Sequence, residues 1–214
     1  MESLKYRQDG FTGRFALGEA DITPPVDIYA RNWGAAAHDR AEGVHRPLMM
    51  QALVIGGQQA DDLLVLLTAD LGWWKNQSDE RYIRHALLKD TGLQPHQLLF
   101  CLSHTHAGPS ICRDDADKPG GAHIAPYLEK IKEIAVTLIR TCQQRMQPAT
   151  LTWGYGTCDL ATNRDLLQDG SYWVGFNPGK KADPTVLVGC IRDDSGKVLG
   201  TVVNYACHPT TLAH

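Results

Sequence analysis

Apolar residues along this chain fall into runs whose spacing switches between that of a strand and that of a helix. PLMMQALVIGG (47–57) is a nearly continuous apolar run that meets a Gly-Gly turn, and DDLLVLLTADLG (61–72) follows it. Together they predict a hairpin of buried strands. In SDERYIRHALLKDTG (78–92), Tyr82, Ile83, Ala86 and Leu87 recur at helical spacing, Ser78 stands as N-cap ahead of two acids, and Gly92 closes the segment. QLLFCLS (97–103) reads as a further strand. IAPYLEKIKEIAVTLIRTCQQRM (124–146) places Leu128, Ile131, Ile134, Ala135, Leu138, Ile139 and Cys142 on one stripe, which predicts the longest helix.

Beyond Pro148, ATLTWGYGTCDL (149–160) returns to strand chemistry. NRDLLQDGSYWVGFNPGKKADP (163–184) is rich in Gly, Pro, Asn and Asp and is expected to be an irregular, functional loop. TVLVGCIRDDSGKVLGTVVNYACHP (185–209) is two apolar runs joined through Asp-Ser-Gly, a hairpin signal whose second strand delivers His208. Strands interleaved with helices predict an α/β fold with mixed β-sheet pairing and flanking helices. No repeat or linker divides the chain, so residues 1–214 are expected to form a single domain.

Composition narrows the classes of function. A formal charge of −3, a pI near 6.3 and the lack of a dense Lys/Arg run argue against a nucleic-acid partner. No apolar stretch approaches the roughly 18 residues of a membrane span. The opening MESLKYRQDGF lacks the apolar centre of a secretory signal, so the expected location is cytoplasmic by default. Six cysteines lie far apart without a C-x-x-C pair, which argues against a thiolate zinc knuckle and for reduced thiols.

Chemistry gathers around the histidines. In LLFCLSHTHAGPSIC (98–112), His104 and His106 are two apart, so a strand continuing through Ser103 would project both imidazoles from one face before Ala107-Gly108-Pro109 turns the backbone away. His208 follows VLGTVVNYAC and precedes Pro209 in the same manner. Ligands of open α/β sheets sit beyond the carboxyl ends of strands, and neutral imidazole is the commonest metal ligand. Spacing alone leaves two readings open: a metal site at the strand ends, or histidines bonded at a sheet edge.

Other candidates surround these three. Asp70, ending LLVLLTAD, is placed either to orient a ligand imidazole through its second ring nitrogen or to cap a turn. Asn163 and Arg164 open the long loop and Asn177 lies within it; an arginine there supplies fixed positive charge for an oxyanion, carboxylate or phosphate. Trp73, Trp74, Tyr172, Trp173 and Phe176 are available to wall an apolar pocket. His38 and His45 read as structural or supporting groups, and His85, His96 and His123 as solvated ones.

Taken together, ADIT (20–23), GVHRPLMMQALVI (43–55), TADLG (68–72), SHTHAGP (103–109), NR (163–164) with NP (177–178), and CHPTT (207–211) occur in order along nearly the whole chain. This set resembles the N-terminal domain of the neutral/alkaline, non-lysosomal ceramidase family, in particular bacterial relatives with DITPP and GVH-P-L motifs. The resemblance implies a Zn2+-dependent amidohydrolase that cleaves the N-acyl bond of ceramide or a related lipid or small-molecule amide. It implies that His104 and His208 bind the zinc and that His106 and Arg164 line the catalytic pocket. The chain departs from the family at Ser103 and Ala107, where the family usually has threonine and serine. The family's remaining zinc ligands, a glutamate and a tyrosine, come from sequence well downstream of H-P-T, which leads to the expectation that the chain is truncated at its C-terminus. The rival reading is a non-catalytic binding or regulatory module that keeps the fold without a complete metal site. A third, an enzyme with a thiol nucleophile, rests on Cys101 or Cys207. Oligomeric state is left open.

Overall fold

The computed structural model describes residues 10–208 apart from 35, 58, 60 and 61; His214 and the last three residues of the CHPTT motif lie outside the described residues. The fold is α/β with mixed sheet pairing. The described residues form two compact units, one of Gly13–Gln147 and one of Pro148–His208 with residues 10–12.

In the first unit, β1 (Phe11–Asp21), β2 (Met49–Gly56) and β3 (Leu63–Ala69) run antiparallel in turn, and β4 (Leu98–Leu102) joins β3 in parallel. The predicted hairpin is β2–β3. A parallel neighbour needs a crossover, and α1 (Gln77–Thr91) supplies it. The helix begins two residues earlier than the sequence suggests. Asn76 is the N-cap, its Oδ1 accepting from Asp79 N at 2.9 Å, and Ser78 donates its hydroxyl to the same oxygen. Gly92 ends the helix in the left-handed region, φ 73°, where only glycine sits without cost.

The core lies between this sheet and α2 (Ile124–Gln144), whose buried stripe is Leu128, Ile131, Ala135, Leu138, Ile139 and Cys142. The facing strand positions are small: Ala16, Gly18 and Ala20 pair across to Val54, Ala52 and Met50. A Cβ at Gly18 would stand 2.9 Å from both Cys142 Sγ and Leu138 Cδ1, so glycine sets how closely β1 meets the helix. The opposite sheet face is also apolar, with Leu17, Leu53, Leu66 and Leu99 aligned across all four strands. Apolar residues on both faces explain why β2, β3 and β4 read as continuous runs. Asp79, buried at the start of α1, accepts the Arg113 N–H at 2.9 Å and its guanidinium, and Arg113 lies over the Tyr82 ring. These contacts fix the segment that follows the histidine loop.

In the second unit, β5 (Gln147–Thr157), β8 (Thr185–Arg192) and β9 (Val198–Tyr205) are antiparallel in that order. The β8–β9 turn is built on Asp193, whose Oδ1 accepts from Ser195 N and Lys197 N. The segment expected to be irregular instead contains a second hairpin, β6 (Asp165–Gln168) with β7 (Ser171–Val174). Asp169 and Gly170 both have positive φ, 52° and 76°, the twist that a two-residue turn between antiparallel strands requires. All six cysteines are free thiols. Among the described residues, no helix is long and apolar enough to cross a membrane.

Candidate functional site

Strands β3 and β4 end side by side, Ala69 opposite Leu102, and the last ladder bond runs from Ser103 N to Ala69 O at 2.9 Å. From these ends the chain continues as Asp70-Leu71-Gly72-Trp73 and Ser103-His104-Thr105-His106. The strand does not carry the two histidines on one face as the spacing suggests, because it stops at Leu102. The rings meet through a kink: His104 adopts φ 60°, a left-handed conformation that costs a non-glycine residue about 1–2 kcal/mol. The result is two imidazoles with centroids 5.1 Å apart and planes at 87°. Trp73 lies against both, at 5.0 Å from His104 and 5.3 Å from His106.

His106 is gripped on its other side. Its Nδ1 is 2.7 Å from the main-chain oxygen of Asn32, and its ring meets Trp33 edge-on at 4.9 Å. A carbonyl oxygen accepts only, so Nδ1 carries a proton, and in the neutral ring the lone pair is on Nε2. Asn32 is buried, and its side chain donates to Gly108 O at 2.9 Å. Gly72 allows these loops to approach: a Cβ there would lie 3.3 Å from Thr105 O. The far end of the histidine loop is anchored at Ser110, whose N–H donates to Tyr29 O and whose hydroxyl donates to Asp115 at 2.6 Å. Lys75 also reaches Asp115, at 2.6 Å. Burial alone would raise the Asp115 carboxyl; the bonds from Lys75 and Ser110 outweigh it and hold the group below the ordinary carboxylate range.

Beside His106 opens a cavity of about 430 Å³. Its walls are largely apolar, with Pro24, Val26, Ile28, Trp33, Val44 and Leu48, and one side is closed by Thr105–Pro109. His38, Glu42, His45 and Arg46 add polar groups to the lining. A pocket that is apolar with a few polar groups converging at one end is the usual form of a small-molecule site.

The remaining predicted residues have definite places. Asp70 accepts the Met49 N–H at 3.0 Å through its carboxylate and donates its own N–H to Met49 O, the turn-capping alternative for this residue. In the second unit, Asn163 Oδ1 accepts from Asp165 N, and the Asn163 carbonyl accepts from Asn177 N at 2.9 Å. The Asn177 side chain donates to Asp165 O at 2.8 Å and accepts from Gly179 N. The two asparagines therefore tie the base of the β6–β7 hairpin. Arg164 immediately precedes β6 and is exposed, its carbonyl accepting from Gly175 N. His208 stands three residues beyond the end of β9 and is exposed. Tyr172, Trp173 and Phe176 are exposed on and after β7, whereas Trp73 stands at the histidine pair. Sequence reasoning missed Asn32 and Trp33; they lie in an irregular segment with no period to expose them.

The chain matches no family model. It is 26% identical over 227 residues to the neutral ceramidase of Pseudomonas aeruginosa, a match that covers 99% of this chain and 32% of that protein. Among solved structures, a ceramidase complexed with C2 superposes with a TM-score of 0.71 at 23% identity, over 92% of this chain and 31% of that one. The crystal structure of neutral ceramidase from Pseudomonas aeruginosa gives a TM-score of 0.66 at 22% identity, over 96% and 33%. The chain thus spans about a third of the length of the relatives it matches, and across that third it is ceramidase-like in sequence and in fold.

Proposed function

From this likeness to neutral ceramidase, we propose that the chain carries the catalytic residues of a zinc-dependent hydrolase that cleaves the N-acyl bond of a ceramide-like lipid or a related amide. In this reading His104 and His208 hold the metal, and His106 and Arg164 act on the substrate. The observation that carries it is the pairing of His104 with His106, the second of which lines a largely apolar cavity.

The donors suit zinc. Neutral imidazole is a preferred zinc ligand, and His104 and His208 each offer one. When bound, the ion supplies Lewis acidity toward the amide carbonyl and brings the pKa of a water toward ~7.

The chain's own groups supply the rest. With its proton fixed on Nδ1, His106 offers the Nε2 lone pair to accept a proton from the attacking water and returns it to the nitrogen of the departing amine. Amide cleavage depends on that second transfer, since an amine anion is a very poor leaving group. The Arg164 guanidinium stays charged throughout and stabilises the negative charge that develops on the carbonyl oxygen. The apolar cavity receives a hydrocarbon portion of the substrate and keeps water from it.

The test is hydrolysis of a fluorescent N-acyl sphingosine by the purified gene product. The reading predicts activity that a chelator abolishes and added zinc restores. Hydrolysis indifferent to chelation contradicts the metal assignment, and zinc binding without hydrolysis favours the non-catalytic module.

A further inference from the structure

Asn32 holds the histidine loop at two points. Its main-chain oxygen takes the His106 Nδ1 proton at 2.7 Å, and its side-chain amide donates to Gly108 O at 2.9 Å. The residue is 6% exposed and lies outside any helix or strand, so its own conformation needs support. That support is a tight turn in which the Asn32 N–H donates to Ala30 O at 2.8 Å.

The two bonds act on one object. Residues 106–108 form the turn that carries the His106 ring, and the Asn32 side chain pins its far end while the Asn32 carbonyl fixes the ring itself. If the turn moves away, the Gly108 bond is lost; if the ring rotates, the Nδ1 bond is lost. A buried amide whose donor is left without its acceptor costs about 1–3 kcal/mol, so the clamped arrangement is favoured over its alternatives.

We propose that Asn32 is a positioning residue: by clamping Gly108 it keeps its carbonyl on the His106 Nδ1–H and thereby holds the imidazole in one tautomer, with the lone pair on Nε2. Asn32 touches neither substrate nor metal in this account. Its catalytic relevance rests on the reading of His106 as the proton carrier, but the tautomer it sets does not.

The experiment compares the wild-type gene product with Asn32→Ala, Asn32→Asp and Asn32→Gln. Long-range 1H–15N spectra of the metal-free proteins report the His106 tautomer, and kinetics on the N-acyl sphingosine probe report turnover. Wild type is expected to show His106 protonated on Nδ1 alone. Asn32→Ala and Asn32→Asp, which lack the amide donor, are expected to show a mixture of tautomers and a kcat lower by about 10- to 100-fold with KM little changed. Asn32→Gln keeps a donor and is expected to recover part of both. A wild-type ring protonated on Nε2, or an Asn32→Ala protein with an unchanged tautomer and full kcat, overturns the proposal. Should Asn32→Ala fail to fold, the folded Asn32→Asp and Asn32→Gln proteins carry the same comparison. If wild type hydrolyses nothing while the tautomer shifts as described, the positioning role stands and the hydrolase reading fails.

Discussion

His106 and Asn32 are 74 positions apart in sequence, yet a 2.7 Å bond from the imidazole to the Asn32 main-chain oxygen fixes which ring nitrogen carries the proton. The bond joins a loop leaving β4 to an irregular segment between β1 and β2. It sets His106 apart from the other eight histidines as a ring held at a main-chain oxygen.

If His106 moves the proton, removing its ring should separate chemistry from metal binding. His106→Ala is expected to lower kcat by about 10²- to 10⁴-fold, the usual worth of a positioned acid-base group, while zinc content stays within error of wild type. Equal loss of zinc and activity would instead make His106 a metal ligand.

The cavity beside His106 sets a second expectation. Val26 lies at its wall and is 39% exposed, so Val26→Trp fills space without disturbing the core. Turnover of long-chain N-acyl substrates should fall by about tenfold or more relative to short-chain ones, since each methylene kept out of an apolar site forfeits about 0.8 kcal/mol. Parallel loss for both chain lengths would place the hydrocarbon elsewhere.

Asp115 ties the end of the histidine loop to Lys75, and its carboxyl is held below the ordinary range in the folded protein. A depressed folded pKa contributes stability that is fully present above the unfolded value near 3.9 and is lost as pH falls through the folded value. Asp115→Asn should therefore lower stability by about 1–3 kcal/mol at pH 7 and flatten the decline below about pH 4. Urea unfolding at a series of pH values measures both.

Much of the fold was legible because the residues that build it repeat. The β2–β3 and β8–β9 hairpins, β4 and both helices follow from apolar spacing and turn residues. Strand β1 was not read from the pattern, because its core positions are Ala16, Gly18 and Ala20, small residues chosen by the approach of α2 and not by hydrophobicity. The β6–β7 hairpin was read as irregular although Asp169-Gly170 marks its turn, since so many flanking residues are Gly, Pro, Asn or Asp. Ser78 looked like a cap, but the true cap two residues earlier is Asn76, which bonds both Ser78 and Asp79.

At the site, the sequence located the H-x-H pair but not the means of pairing it. A left-handed backbone at a histidine leaves no trace in residue type, unlike the same conformation at a glycine. Asn32 was invisible for a related reason: its contacts are to main-chain atoms distant in sequence, which no local pattern encodes.

The central claim is that His104 and His208 together hold one zinc ion. Zinc content of the purified gene product, measured by elemental analysis beside folded His104→Ala and His208→Ala variants, tests it most directly. The account predicts about one zinc per wild-type chain and loss of most of it in each variant; equal zinc in all three proteins would contradict it.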